Sequence, residues 1–103
     1  MIRLTILFLK FLVVSNFVMA ETIPTKSKIL KNASHCTKDS QAQVCKELVF
    51  EIEKLQLLVF DQNRFKCQSS LLGLQSAIIE AHFLKNISNE RISFMIPYVI
   101  KNC

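Results

Sequence analysis

The side chains best suited to chemistry in this sequence are four cysteines, whose thiols can form disulfides or bind a metal. They are Cys36, Cys45, Cys67 and Cys103. A zinc site needs ligands at close spacing, such as two cysteines separated by two residues. Here the intervening gaps are 8, 21 and 35 residues, and the two histidines are His35 and His82. We therefore expect no metal site. An even number of cysteines in a short chain is typical of a disulfide framework.

Four cysteines can be paired in three ways. Proximity favours the bridge Cys36–Cys45, because a short loop closes at the lowest entropic cost. That choice leaves Cys67–Cys103, a bridge that would span the C-terminal half of the chain. Because each bridge contributes about 2–4 kcal/mol, we expect the loss of either one to matter.

The other residue types offer little to a catalyst. His82 lies in an apolar stretch of a helical pattern, and His35 adjoins a cysteine. The carboxylates Glu51 and Glu53 are two residues apart and so face apart on a helix. With Gly73 as the single glycine, a glycine-rich phosphate loop is excluded. We expect neither a catalytic residue nor a cofactor, and no enzyme activity.

Residues 1–20 predict a secretory signal peptide. Fifteen of these 20 residues are hydrophobic, a positive charge at Arg3 precedes them, and small or apolar residues end the segment. We expect cleavage after Ala20, which would make Glu21 the new N-terminus. The alternative is an uncleaved anchor, but Lys10 interrupts an apolar run that would need about 20 residues to cross a bilayer.

The remainder of the chain fits a secreted protein. Two sequons, at Asn32 and Asn86, predict N-glycosylation. The longest later apolar run is Leu57–Phe60, so we expect no membrane span after cleavage. We place the protein in the extracellular space, the cell wall or a secretory lumen.

Charge gives little indication of a nucleic-acid partner. The chain has 13 Lys or Arg against 8 Asp or Glu, for a net charge of +5. Loss of residues 1–20 would lower that charge to +3. The lysines are scattered among acidic residues, so no nucleic-acid binding is expected.

The chain length allows one domain. We expect residues 21–39 to form an extended lead-in with the first disulfide loop, and residues 40–103 to form a helical bundle. The first helix should run from about 40 to 61, with Asp39 or Ser40 as a cap. Its apolar positions recur at helical steps: Val44, Leu48, Ile52, Leu55 and Val59. Further apolar residues widen this stripe, and any part left unburied would favour a dimer.

A second helical pattern follows the turn at 61–63 and extends from Cys67 to about Lys85. Gly73 lies in its middle, where glycine costs about 1 kcal/mol relative to alanine. Either another backbone approaches closely at Gly73, or the helix tolerates the weakness.

The third helical pattern begins at Ser88 or Asn89 and reaches Cys103. Pro97 should kink or split this helix because proline removes one backbone hydrogen bond. The β-branched residues around Pro97 would also suit a strand. The complete pattern predicts an all-α fold, a small disulfide-tied antiparallel bundle of about three helices.

The cysteine spacing and its surroundings resemble the plant invertase and pectin methylesterase inhibitor family. The residues that carry the resemblance are Ile29-Leu30, Cys36-Thr37-Lys38, Cys45, Leu48, Lys66-Cys67 and the stretch from Leu84 to Cys103. The resemblance implies a signal peptide, a four-helix bundle and the pairing Cys36–Cys45 with Cys67–Cys103. It also implies an inhibitor of a cell-wall enzyme. The gap between Cys45 and Cys67 is shorter than is usual in that family.

The leading functional hypothesis is a secreted, non-enzymatic helical protein that sterically blocks a pectin methylesterase or an invertase. A secreted signalling or effector ligand that binds a receptor is the first alternative. The second is a carrier of a small hydrophobic molecule, held in a cavity lined by Phe50, Phe60, Phe65, Phe83 and Phe94.

Overall fold

The computed structural model describes residues 23–85 and 89–103. The predicted signal peptide, its cleavage site and the second sequon asparagine, Asn86, lie outside the described residues. The described chain is helical and contains no strand. Its elements are α1 (Lys26–Lys38), α2 (Gln43–Asp61), α3 (Phe65–Ile79), a π-helical segment (Glu80–Leu84) that continues α3, and α4 (Glu90–Asn102). The all-α prediction is confirmed, with four helices rather than three.

The extra helix is α1, and the prediction of an extended lead-in is wrong over Lys26–Lys38. Pro24 precedes the helix, so it does not interrupt the hydrogen-bond ladder. Thr25 caps the start, since its side-chain oxygen accepts a hydrogen bond from the backbone N–H of Lys28 at 3.2 Å. The inward face is short but apolar, and its buried residues are Ile29, Ala33 and Cys36.

α2 matches its predicted end and begins three residues later than predicted. Asp39 caps the C-terminus of α1 instead of starting α2, and Ala42 is the residue before the first turn of α2. At the other end Asn63 takes a left-handed conformation with φ of 58°, which asparagine tolerates better than most residues. The backbone N–H of Arg64 then donates to the carbonyl of Val59 at 2.9 Å and closes the turn into α3.

α4 contains Pro97 and is not split by it. A strand around Pro97 is therefore wrong, and proline is accommodated inside a single helix. Asn89 directly precedes the first turn of α4, in the capping position predicted for it. Its side chain makes no capping hydrogen bond. The π-helical segment after α3 ends at Leu84 and is followed by Lys85, which is left-handed with φ of 57°.

The four helices form an up-down-up-down bundle. Each helix packs against the next, and α1 also packs against α4, which closes the ring. The long-range hydrogen bonds show that α1 and α4 are antiparallel, since Lys26 near the start of α1 donates to the carbonyl of Ile100 near the end of α4. α2 and α3 are likewise antiparallel, because Gln68 near the start of α3 donates to Gln56 toward the end of α2.

All four helices contribute to one apolar core. Its largest fully buried side chains are Ile29, Leu48, Ile52, Leu71, Leu74, Ile78 and Ile92. Burial of a Leu or Ile side chain contributes about 1.5–3 kcal/mol, so this cluster is the main favourable term in folding. Within the described residues, no helix has both the length and the apolar character needed to cross a bilayer.

Candidate functional site

The four cysteines form two disulfides, Cys36–Cys45 and Cys67–Cys103. The Cα atoms are 5.3 Å apart in the first bridge and 4.7 Å apart in the second. The predicted pairing is therefore confirmed. In the described part of the chain, no three His, Cys, Asp or Glu side chains lie close enough together to hold a metal ion.

His82 joins the π-helical segment to the connection between α1 and α2. Its Nδ1 lies 2.7 Å from the carbonyl oxygen of Ser40, which can only accept, so Nδ1 carries the proton. Gln41 in the same connection donates to the carbonyl of Ala81 at 3.2 Å. The ring of His82 also packs edge-on against Phe83, with centroids 4.7 Å apart. These contacts give His82 a role in holding the end of the bundle together.

The two neighbouring carboxylates face different helices. Glu51 accepts a hydrogen bond from Asn32 at 3.1 Å and lies 3.2 Å from the ammonium of Lys28, both in α1. Glu53 accepts a hydrogen bond from Gln75 of α3 at 3.0 Å. Asn32 thus donates through Nδ2, the nitrogen atom to which a glycan would be attached. A glycan would replace one of the two hydrogens on that nitrogen and leave one N–H able to donate.

An open groove of about 480 Å³ lies between α3 and α4. Its lining residues are Phe65, Lys66, Ser69, Ser70, Phe94, Met95, Tyr98 and Asn102. Helical spacing explains which side chains reach it. Phe94 and Tyr98 are four residues apart and so lie on one face of α4, and Phe65 and Ser69 repeat that step on α3.

Hydrogen bonds hold the polar part of the groove in place. The hydroxyl of Ser70 donates to the carbonyl of Lys66 at 2.9 Å, one turn earlier in α3. The same oxygen accepts from the amide of Asn102 in α4 at 2.8 Å. Cys67 lies three residues before Ser70 in α3, and Cys103 directly follows Asn102, so a disulfide and a hydrogen bond join the two helices at the same end of the groove.

Gly73 lets α4 pack closely on α3 beside the groove. A Cβ atom built on Gly73 would overlap the terminal methyl group of Met95. A functional glycine was expected to allow the close approach of another backbone. The close approach is instead made by the side chain of Met95. Met95 lies against the α3 backbone and lines the groove, so Gly73 affects the shape of the groove.

Aromatic rings form the outer walls of the groove. Phe94 and Tyr98 pack together with ring centroids 5.5 Å apart. On the α3 side, Phe65 meets Phe60 edge-on at 6.1 Å. Phe94 leaves 63% of its surface exposed and Phe65 leaves 54%. Both walls of the groove therefore expose large apolar side chains, which makes the groove a candidate contact surface.

The phenylalanines proposed to line a closed cavity do not do so. All five are exposed: Phe50, Phe60, Phe65, Phe83 and Phe94. The groove uses two of them, Phe65 and Phe94. Tyr98 and Met95 were missed, although the step of four residues from Phe94 to Tyr98 was visible in the sequence.

The groove has the chemistry of a binding surface. It offers aromatic rings, a thioether, two serine hydroxyls and one ammonium group, from Lys66. Its openness suits an apolar side chain delivered by another protein better than a small molecule, which binds best where most of its surface is enclosed. No protein-family model, curated protein or solved structure matches this chain.

Proposed function

We propose that this protein is secreted and non-enzymatic, and that it binds a partner protein through the groove between α3 and α4. The exposed aromatic walls of that groove are the observation that supports the proposal. Tyrosine and phenylalanine supply large apolar contact area at little cost in conformational entropy, and aromatic residues are enriched at protein interfaces.

The positive charge beside the groove indicates which groups a partner should present. Lys66 lies at the wall of the groove. Arg64 precedes it by two residues, and the Arg64 guanidinium donates to the backbone carbonyl of Cys103 at 2.8 Å. A partner that presents an apolar side chain next to a carboxylate would satisfy both parts of this surface. The disulfide at the same level holds the two helices in their bound spacing, which lowers the entropy cost of docking.

In the inhibitor hypothesis, the partner is a cell-wall enzyme. In that proposal, the groove takes a side chain from the rim of a pectin methylesterase or invertase cleft, and the body of the bundle blocks the substrate. Activity should then fall in proportion to added protein until one equivalent is present. The resemblance of the cysteine pattern to the inhibitor family supports the choice of these two enzymes.

The test is titration of each enzyme with the wild-type chain and with two alanine variants. Phe94→Ala removes the most exposed groove wall and should weaken inhibition about tenfold to a hundredfold, as for a binding hot spot. Phe83→Ala is the matched control, since Phe83 is also exposed but does not line the groove. Equal effects of the two variants would contradict a binding role for the groove.

The signalling alternative uses the same groove and gives a different result. If neither enzyme is inhibited, saturable binding to a cell surface, competed by the wild-type chain and not by Phe94→Ala, would identify a receptor as the partner. Failure of both assays would remove the proposed function. The carrier alternative is less well supported, because the groove is open and the aromatic residues assigned to a cavity point outward.

A further inference from the structure

The outward face of α2 carries a regular row of exposed side chains that the groove does not use. They occur at positions i, i+4, i+7, i+8, i+11 and i+15, which share one face of a helix. They are Lys46, Phe50, Glu53, Lys54, Leu57 and Asp61. Phe50 is 60% exposed and Leu57 is 54% exposed. We call this row the α2 stripe.

The α2 stripe is complementary to itself when reversed. Placing a second copy antiparallel, with Glu53 of one chain opposite Lys54 of the other, brings two further pairs into register. These pairs are Phe50 with Leu57, and Lys46 with Asp61. Every pair is either apolar with apolar or acid with base, and a twofold axis makes each pair occur twice.

We propose that two copies of this chain associate through the α2 stripe as an antiparallel, twofold-symmetric dimer. The charge pattern favours this occupant, because a second copy placed in reverse presents a complementary residue at each of the six positions. The dimer contact lies on α2, whereas the proposed partner groove lies between α3 and α4. The two surfaces can therefore act independently.

The end charges of the α2 stripe are poorly placed for a solitary helix. Lys46 lies in the first turn of α2 and Asp61 is its last residue. The helix macrodipole favours the opposite arrangement, with acids at the start and bases at the end. Within residues 23–85 and 89–103, the ion pairs involve other residues, Lys28 with Glu51 and Arg91 with Glu80. A second copy would supply both end charges with partners.

The apolar area fits a weak, reversible dimer. Phe50 and Leu57 together present roughly 200 Å² of apolar surface per copy, given about 200 Å² for a whole aromatic side chain. Two copies therefore bury about 400 Å² of apolar surface, and the charged pairs add to it, as in the small interfaces of transient complexes.

The first test is sedimentation of the full, oxidised chain over a concentration series. The wild-type chain should show a reversible monomer–dimer equilibrium. Phe50→Glu should raise the dimer dissociation constant at least about a hundredfold, because it places a carboxylate opposite Leu57 in both apolar pairs. Phe94→Glu, in the groove, is the matched control and should leave the dimer unchanged. A wild-type chain that stays monomeric throughout, or equal effects of the two variants, would overturn the proposal.

A charge exchange tests the register. Lys46→Glu and Asp61→Lys should each weaken the dimer about fivefold to tenfold, since each creates two like-charge pairs. The double variant K46E/D61K should restore the wild-type constant to within about threefold. Positions 46 and 61 are about 22 Å apart along α2, so only a second copy can supply the rescue. Additive loss in the double variant would overturn the antiparallel register.

Loss of the dimer and loss of the proposed partner binding can be distinguished with two variants. Phe50→Glu should keep full activity in the enzyme or cell-surface assay while losing the dimer, and Phe94→Ala should do the reverse. Loss of both properties in both variants, with an unchanged circular dichroism spectrum, would contradict the separation of the two surfaces.

Discussion

The two halves of the bundle are both helical hairpins closed by a disulfide, but the disulfides lie at opposite ends. In the α1–α2 hairpin, Cys36–Cys45 lies at the turn and joins residues nine positions apart. In the α3–α4 hairpin, Cys67–Cys103 joins the open ends, 36 positions apart. The first bridge secures a contact that the short connection already favours. The second bridge joins two helix ends that no short backbone connection links.

The surfaces between the helices of each hairpin differ in the same way. Where α1 meets α2, the contacts at the surface are polar, from Lys28 and Asn32 to Glu51. Where α3 meets α4, a methionine lies against a glycine and aromatic rings remain exposed. The surface where α1 meets α2 is therefore used for contacts within the chain, while the surface where α3 meets α4 leaves apolar side chains exposed.

The largest effect we predict is loss of the α3–α4 bridge. Cys67→Ser with Cys103→Ser should lower the free energy of unfolding by about 4 kcal/mol, because the bridge restricts a long loop in the unfolded chain. Urea denaturation of the oxidised protein measures this change. The same variant should weaken partner binding, since the groove walls lose the covalent tie.

Loss of the α1–α2 bridge should have a smaller effect. Cys36→Ser with Cys45→Ser should lower the free energy of unfolding by about 2.7 kcal/mol, from the same loop-entropy relation applied to the shorter loop. The same denaturation series gives the comparison. An equal or greater loss than for the long loop would show that native-state contacts, and not loop entropy, set the value of each bridge.

The next largest predicted loss of stability comes from the polar contact between α1 and α2. Glu51→Ala removes an ion pair with Lys28 and a hydrogen bond from Asn32, and should cost about 1 kcal/mol of stability. Phe94→Ala on the other hairpin should change stability by less than about 0.5 kcal/mol, as at an ordinary exposed position. If Phe94→Ala were the more destabilising, the aromatic wall would serve folding rather than binding.

At Gly73, two opposing effects on stability should largely cancel. Alanine gains about 1 kcal/mol in helix propensity, but its Cβ must displace the end of Met95, so the net change should lie within about 1 kcal/mol. In a Met95→Ala background the same substitution should be stabilising by about 1 kcal/mol. Comparison of the two backgrounds by urea denaturation isolates the contact. Equal effects in both would show that Gly73 and Met95 are not coupled.

The sequence by itself determined the helical faces of α2, α3 and α4 and favoured the pairing of the cysteines. The apolar steps from Leu48 to Ile52 and from Leu71 to Leu74 depend only on residues three or four positions apart, so periodicity finds them. The first pairing follows from chain proximity for a similar reason. α1 was missed because Pro24 and its lysines outweighed an inward face of only three residues, and its helix is stabilised by packing on α2 and α4.

The tertiary structure alone decided which sides of the helices meet. The groove requires Met95 to lie against Gly73, and Asn102 to reach Ser70, across separations of 22 and 32 residues. The α2 stripe stays exposed because α1 and α3 pack on either side of it. No local pattern contains this information, because a helix face is set by neighbouring residues whereas its partner is set by how the complete bundle excludes water from the core.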